Sequence, residues 1–460
     1  MKVREFFGAK APAACKIPED RQQALYKRLS LSSFVGITVA YSLFYVCRMS
    51  LSVVKQPLID TGTFSATQVG AIGSAMLLVY AVGKFVNGFI SDYCNLRRCV
   101  AAGLAVSTLV NFAFGISGLV GIKGAGTTAF FLFFAVLWAL NGWVLSIGAS
   151  SGVVNLSRWM SKSRRATFYS IFSTTPYVGQ FLSFLVLGFL VEKLGWESGF
   201  LFASAAGAAG VLLTLLMVHD SPESEGLPTV GEMFGESETK VDKKAVRDMQ
   251  AWVFRNPGIW LVALSAALVY IAKYGVTDWG VLFLQKTRGF TLSQASQMIG
   301  FSTVPGVIGT LAAGWLSDRL FKGDRARPAL LSGLLSAVFL GLFLFTDGGY
   351  VASAVYAALF NLFISILFCI VAGFMVLDIV PRHATGAASG IIGISCYVAA
   401  GLQELLSGMI LDSSKLVDDI PGVGYDFTVA SFFWLLASVL AFVLPVAMWD
   451  KMRGWLNEAE

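Results

Sequence analysis

The chain has 460 residues, of which 56% are hydrophobic and only 13% are charged, and its mean hydropathy is +0.71. Soluble globular chains carry about 25% charged residues, so this composition excludes a soluble protein and indicates a polytopic membrane protein. The net charge of +6 gives little support to a nucleic-acid partner, because membrane proteins carry basic loops for topological reasons.

Continuous apolar runs of about 20 residues, the length that crosses a bilayer core as a helix, recur along the chain. The runs lie near 31–54, 68–91, 99–120, 127–153, 166–191 and 197–218 and, after a polar stretch, near 258–284, 295–316, 327–346, 350–378, 385–411 and 427–449. The sequence therefore predicts an all-α membrane protein with twelve transmembrane helices in two pseudo-symmetric six-helix bundles.

The polar segments divide this arrangement into five parts. We expect a cytoplasmic N-terminal segment at 1–28, a first bundle at 29–218, a cytoplasmic central linker at 219–256, a second bundle at 257–450 and a cytoplasmic tail at 451–460. If the N-terminus is cytoplasmic, 25 of the 34 basic residues fall in cytoplasmic segments, six on the opposite face and three inside spans. This bias fits the positive-inside rule and predicts an inner cell membrane protein with both termini in the cytoplasm.

Two motifs repeat between the halves. Gly88, Ser91 and Asp92, followed by Arg97 and Arg98, form the first motif. It recurs in the second half as Gly314, Ser317 and Asp318, followed by Arg325 and Arg327. Separately, Tyr45 and Arg48 recur as Tyr270 and Lys273, at an offset that differs from the first by a single position. Two motifs with nearly the same offset indicate a duplicated six-helix unit, in which a substrate site lies at mid-membrane between the repeats.

The Gly-x-x-Ser-Asp motif with its trailing arginines resembles the signature of the major facilitator superfamily. Within it, the chain resembles the organophosphate:phosphate antiporters, in particular the branch of hexose-phosphate transporters and sensors that includes the glucose-6-phosphate transporters. Residues in spans 1, 2 and 7 and in the central linker carry this resemblance: Tyr41, Tyr45, Arg48, Tyr80, Lys84, Phe85, Tyr270, Lys273, Gly275, Asp278, Trp279 and the segment 220–228.

The resemblance implies exchange of a sugar phosphate, glucose 6-phosphate or a similar ester, for inorganic phosphate by alternating access. The pattern departs from the family in the sugar-handling part of the pocket. Span 5 has Thr175, Pro176 and Tyr177 in place of a Ser-His-Asn type set, span 10 has 367–369 in place of Gly-Pro-Gln, and span 11 has Ser389 and Ile392 in place of an acid and a lysine.

Three cations inside apolar spans are the candidate substrate-binding residues. Arg48 and Lys273 occupy matching places in the two halves, and few acids are available to neutralise them, so we expect them to grip a doubly negative phosphate from opposite walls of one cavity. Lys84 fits a ligand contact as well as it fits a role in packing or gating. Four tyrosines on the same helices would donate hydrogen bonds to the phosphate: Tyr41, Tyr45, Tyr80 and Tyr270.

The remaining charged motifs suggest other roles. Asp92 with Arg97 and Arg98, and Asp318 with Arg325 and Arg327, fall at helix ends, where carboxylate–arginine pairs would hold one gate conformation.

Glu404 in span 11 is either the partner of a cation or a proton-carrying group in the cavity, or it lies at the interface of a shifted span. The alternatives to exchange are accordingly a proton-coupled organic anion symporter that uses Glu404, and a membrane sensor of hexose phosphate with little transport.

No chemistry beyond transport is expected. The cysteines and histidines form no metal-binding pattern and no nucleophile stands beside a base, so we predict no enzyme activity, no metal and no cofactor. The expected partners are the phosphorylated substrate, inorganic phosphate and the lipid bilayer, and the protein is expected to be a monomer.

Overall fold

The computed structural model describes residues 6–13, 17–120, 127–235, 251–380, 385–416 and 424–452. These residues include twelve helices that are long and apolar enough to cross a membrane. We number them α1 to α12: Glu19–Asp60, Ala66–Tyr93, Leu96–Leu119, Thr128–Trp159, Lys162–Leu194, Trp196–Met217, Pro257–Arg288, Leu292–Leu320, Ala326–Phe345, Gly349–Ile379, Thr385–Ser413 and Thr428–Ala447. The predicted all-α membrane fold with twelve spans is confirmed.

Several helices continue beyond their predicted apolar runs. The first, α1, is predicted at 31–54 and extends over Glu19–Asp60, while α7 continues to Arg288. Hydropathy ends a span where the apolar run ends, whereas the helix can continue past a charged residue that a neighbouring helix covers. Lys55, which the sequence placed outside the membrane on the opposite face, therefore lies inside α1 and is 1% exposed.

The duplication is visible in local structure. Ser65 caps α2 and pairs reciprocally with Gln68, and Thr291 caps α8 and pairs in the same way with Gln294. These two capping boxes satisfy the free N–H groups at equivalent helix starts. Their separation along the chain equals that between Gly88 and Gly314 of the repeated Gly-x-x-Ser-Asp motif.

Small and polar residues hold the helices of each bundle close together. The Gly142 backbone in α4 packs against Met76 in α2, where an added Cβ would lie 2.2 Å from a carbonyl oxygen. Ser107 donates to Asn141 in the first bundle, and Asn361 donates to Ser302 in the second. Because lipid supplies no hydrophobic driving force between helices, such close backbone approach and interhelical hydrogen bonds join them.

The two bundles meet along α1 and α7, α2 and α11, and α5 and α8. We call the face at which α1 begins and α2 ends the terminal face, and the other the opposite face. The segment 6–13 lies on the terminal face, where Ala9 bonds to Tyr93 and Asn95 bonds to Phe7. The first part of the predicted linker, 219–235, also packs there, and Ile17 and Ala13 donate to Gly226 and Glu223.

Candidate functional site

Equivalent residues of α1 and α7 meet each other directly. Arg48 donates to the Tyr274 hydroxyl at 2.8 Å, Ser52 donates to Asp278 at 2.9 Å, and Lys286 pairs with Asp60 at 2.7 Å. Each pair is separated by 226 residues in the chain. A two-fold axis that runs between α1 and α7 brings residues separated by the repeat offset into contact. This interface therefore lies on the pseudo-symmetry axis.

Arg48 lies in a box of tyrosines at this interface. Its guanidinium carbon is 5.3–5.9 Å from the centroids of four rings, those of Tyr45, Tyr80, Tyr274 and Tyr397. The rings come from α1, α2, α7 and α11, so both bundles contribute. The negative faces of the rings stabilise the buried cation, and ring planes favour the flat guanidinium over an ammonium.

The guanidinium of Arg48 can donate more hydrogen bonds than it does in this structure. The residue is 3% exposed, and within the described residues its Nε and Nη1 groups have no partner. A buried cation with two unmatched N–H groups is unfavourable by itself. Because a phosphate has several oxygens that accept hydrogen bonds, an anion at this position would give the Nε and Nη1 groups of Arg48 acceptors.

The tyrosine box continues into a larger aromatic cluster. Tyr41 packs edge-on against Tyr45 and stacks on Phe172 of α5, at 5.3 and 5.2 Å between ring centroids. Tyr270 stacks on Tyr274 at 5.2 Å and lies 5.4 Å from Tyr397. All four tyrosines singled out from sequence, Tyr41, Tyr45, Tyr80 and Tyr270, therefore lie in or beside the box.

Lys273 lies on a different side of α7. Its Nζ is 3.4 Å from the Tyr177 hydroxyl and 4.8 Å from the centre of that ring, so it faces α5 of the first bundle. The residue at the repeat offset from Arg48 is Tyr274, one position after Lys273. The two cations thus lie on adjacent helices and against different neighbours, and the residue that matches Arg48 in the second bundle is Tyr274 and not Lys273.

Lys84 marks the approach to the box from the terminal face. It lies one turn of α2 beyond Tyr80, is exposed, and its Nζ is 5.3 Å from the centre of the Tyr397 ring. Lys84 is therefore an exposed cation beside a ring of the box, on the terminal-face side of Tyr80.

The presence of a carboxylate partner distinguishes these three cations from Lys55, which is buried. Among the described residues, no carboxylate pairs with Arg48, Lys84 or Lys273. Lys55 instead forms an ion pair with Glu404 of α11, in which both residues are at least 98% buried. Glu404 is therefore inside the protein and not at a membrane interface.

The second bundle contains a charged cluster at its terminal face. Arg325, just before α9, donates to Asp318 of α8 and to Asp378 of α10, each at 2.8 Å. It also donates to Ser317, so one guanidinium holds the ends of two helices together. Arg327 pairs with Asp324 at 3.2 Å on the surface.

The first bundle uses different residues at the equivalent place. Arg158 of α4 donates to the backbone carbonyls of Ser91, Asp92 and Cys94, and it pairs with Asp220 at 2.6 Å. Asp92, Arg97 and Arg98 are exposed. Arg98 donates to the Phe6 carbonyl, and within the described residues Asp92 forms no ion pair with either arginine.

Asp220 is the centre of this arrangement. Its buried carboxylate accepts from Arg158 and from the backbone N–H groups of Lys10 and Leu96. It therefore ties α4, the start of α3 and the N-terminal segment together. The sequence contained this residue only as part of the linker motif that supports the family resemblance.

Sequence reasoning missed three residues of the site. Tyr274 and Tyr397 enclose Arg48, but spacing along a single helix does not show which residues face each other across two bundles. Tyr177 did give a signal, because it lies in the span 5 segment that departs from the family pattern, and it is the residue that contacts Lys273.

Comparisons with known proteins identify relatives of this chain. The family profile of the Major Facilitator Superfamily matches residues 37–403. The membrane sensor protein UhpC of Escherichia coli (strain K12) is 28% identical over 88% of this chain and 91% of that protein. The glycerol-3-phosphate transporter of Bacillus subtilis (strain 168) is 28% identical over 87% and 90%, and a probable hexose phosphate transport protein of Chlamydia pneumoniae is 28% identical over 87% and 90%.

Solved structures show the same fold. A bacterial homolog of the human lysosomal transporter Spinster has a TM-score of 0.69 at 16% identity, over 94% of this chain and 97% of that one. The D-xylose-proton symporter has a TM-score of 0.63 at 15% identity, over 90% and 97%. The chain belongs to the Major Facilitator Superfamily, as its repeated motif predicted, and is a membrane transport protein rather than an enzyme.

Proposed function

We propose that this protein exchanges inorganic phosphate for a phosphate ester, a sugar phosphate such as glucose 6-phosphate, by alternating access. The observation that carries the proposal is the unpaired, buried guanidinium of Arg48 inside a box to which both bundles contribute. Relatives named as transporters of glycerol 3-phosphate and hexose phosphate support a substrate with a phosphoryl group.

Arg48 binds the phosphoryl group in this proposal. Its Nε and Nη1 groups donate to phosphate oxygens, and the box tyrosines supply hydroxyl donors around it. Lys273 and Tyr177 form the neighbouring subsite and contact further oxygens of the ester. Lys84 attracts the anion at the mouth of the site from the terminal face.

The charge of the empty site favours exchange over one-way transport. Closing the bundles around Arg48 without an anion removes water from an unpaired cation, which is energetically unfavourable. A bound phosphate near charge −2 neutralises the site and removes that penalty. The protein therefore changes its access mainly when loaded, and one phosphate compound leaves for each that enters.

The clusters on the terminal face act in conformational control. The cluster of Arg325, Asp318 and Asp378 connects α8 to α10, and the cluster of Arg158 and Asp220 fixes the α2–α3 turn that carries Asp92. Arg97, Arg98 and Arg327 lie on the surface and form new pairs in the other access state, in which Arg98 leaves the Phe6 carbonyl and Arg327 leaves Asp324. We propose that the protein lies in the inner cell membrane as a monomer, with the terminal face and both termini in the cytoplasm. The basic bias of the terminal face supports this orientation.

Flux measurements in proteoliposomes test the proposal. Uptake of labelled glucose 6-phosphate should require phosphate inside the vesicles and should stop when the internal phosphate is removed. Uptake driven by a pH gradient without internal phosphate, and lost in Glu404→Gln, would establish proton symport instead. Binding of the sugar phosphate without any flux would establish a sensor, the function in the name of the Escherichia coli relative.

A further inference from the structure

Four helices cross at Lys55, two turns from Arg48 toward the opposite face. Lys55 of α1 pairs with Glu404 of α11, and its Nζ lies 3.8 Å from the centre of the Trp279 ring of α7. All three side chains are buried. Because α1 belongs to the first bundle and α7 and α11 to the second, this ion pair joins the two bundles.

Glu404 packs against two glycines of α2. An added Cβ at Gly73 would lie 2.7 Å from Glu404 Cγ, and one at Gly70 would lie 2.6 Å from the Glu404 carbonyl oxygen. Gly408, one turn further along α11, approaches the Ala66 carbonyl in the same way, at 2.5 Å. At this level the α2 and α11 backbones therefore approach each other closely at Gly70 and Gly408, and the Glu404 side chain packs on Gly73 between them.

Further contacts between the bundles lie around this crossing. Ser52 bonds to Asp278 one turn closer to the substrate box, and Asp60 pairs with Lys286 nearer the opposite face. Asp412 accepts from the backbone N–H groups of Ala66 and Thr67 at the start of α2. The substrate box is therefore closed off from the opposite face by several successive layers.

The ion pair is poorly suited to a purely structural role. Within the described residues, Glu404 Oε2 and Trp279 Nε1 form no well-aligned hydrogen bond, although the two side chains lie beside each other. A buried pair that is only partly satisfied adds little stability over apolar residues of the same size, but removing one partner leaves an isolated charge that is strongly destabilising. Such a pair discriminates between conformations, because both charges regain water only when the bundles separate.

We propose that Lys55 and Glu404 form a latch that holds the opposite face closed and sets the resting conformation open to the terminal face. The latch is made when α2 and α11 meet at Gly70 and Gly73, and it is broken and hydrated when the opposite face opens. The proposal goes beyond phosphate exchange and does not depend on the substrate, since it concerns the empty protein.

Disulfide cross-linking of Asp60→Cys with Lys286→Cys measures closure of the opposite face without substrate. In this background the parent protein should cross-link efficiently. Glu404→Gln and Lys55→Met should each lower the cross-linked fraction by about threefold or more, because each leaves one buried charge unpaired. Lys193→Met removes an exposed lysine outside this interface and should leave cross-linking unchanged.

Two double variants separate the latch from general damage. The charge exchange Lys55→Glu with Glu404→Lys, and the apolar pair Lys55→Met with Glu404→Met, should both restore cross-linking, since neither leaves an isolated buried charge. Gly73→Ala keeps both charges but should lower cross-linking, because the new Cβ displaces Glu404. Unchanged cross-linking in Glu404→Gln, Lys55→Met and Gly73→Ala, in protein that elutes as a single folded species, would overturn the latch.

Discussion

Two cations on one face of α1 have opposite surroundings. Arg48 and Lys55 are seven residues apart, so they lie on nearly the same side of the helix and about 10 Å apart along its axis. Both are buried and both face the other bundle. Arg48 faces tyrosines and has unmatched N–H groups, whereas Lys55 faces a carboxylate.

The difference shows that the partner across the interface decides what a buried cation does. A cation that already has its own carboxylate has no need of a ligand, and it links the two bundles for as long as the pair is intact. A cation surrounded by neutral donors still requires an anion, and a ligand can supply one. In our proposals, substrate binding and gating thus both rest on buried cations, which lie in successive layers of one helix.

The largest effect is expected from a substitution of Arg48. Arg48→Lys keeps the charge but loses a second charge-assisted hydrogen bond and much of the attraction to the rings, each worth about 2 kcal/mol, so phosphate exchange should fall by about 100-fold or more. Phosphate self-exchange in proteoliposomes measures the effect. Arg21→Lys, on the exposed surface, is the matched control, and wild-type exchange by Arg48→Lys would remove Arg48 from the site.

A smaller loss should follow at the second cation. Lys273→Met removes a charged donor worth about 1.5–3 kcal/mol and should lower exchange by about 10- to 100-fold. Lys273→Arg keeps charge and reach, and should stay within about threefold of the parent. Equal rates for Lys273→Met and the parent would show that the subsite beside Tyr177 does not contact substrate.

The Tyr177 hydroxyl tests the same subsite more finely. Tyr177→Phe keeps the ring beside Lys273 but removes one hydrogen-bond donor, worth about 1 kcal/mol, so the KM for the sugar phosphate should rise about fivefold. Initial rates over a range of external sugar phosphate give this value. Tyr169→Phe, an exposed change in the same helix, should have no effect, and a KM for Tyr177→Phe equal to that of Tyr169→Phe would contradict the assignment.

The smallest effect is expected at the mouth of the site. Lys84→Gln removes an exposed charge, so the KM should rise by only about two- to threefold at low salt, and the difference should shrink as salt screens the charge. Measuring the KM at two ionic strengths, with Lys193→Gln as control, checks this. A loss as large as that of Arg48→Lys would place Lys84 inside the binding site instead.

The fold was predictable to a large extent because long apolar runs and a repeat offset are local properties of the sequence. The repeated capping boxes at Ser65 and Thr291 give the same offset in the structure. Helix ends were not predictable from hydropathy, and Lys55 shows why: its charge is covered by Glu404, which lies 349 residues away in the chain.

The candidate site was predictable only in part, for a related reason. Charged residues in apolar spans identified Arg48 and Lys273, and helical spacing added the nearby tyrosines. The enclosure of Arg48 by Tyr274 and Tyr397 depends on how two bundles pack, and spacing along one helix carries no information about that. The same limit explains why the sequence does not show that Glu404 pairs with Lys55.

Phosphate binding to the purified protein tests the central claim most directly. Calorimetry should show that the parent protein binds inorganic phosphate and glucose 6-phosphate but not glucose, and that Arg48→Met loses both interactions while Lys193→Met retains them. Binding of phosphate by Arg48→Met with an unchanged Kd would contradict the assignment of Arg48 as the residue that holds the phosphoryl group.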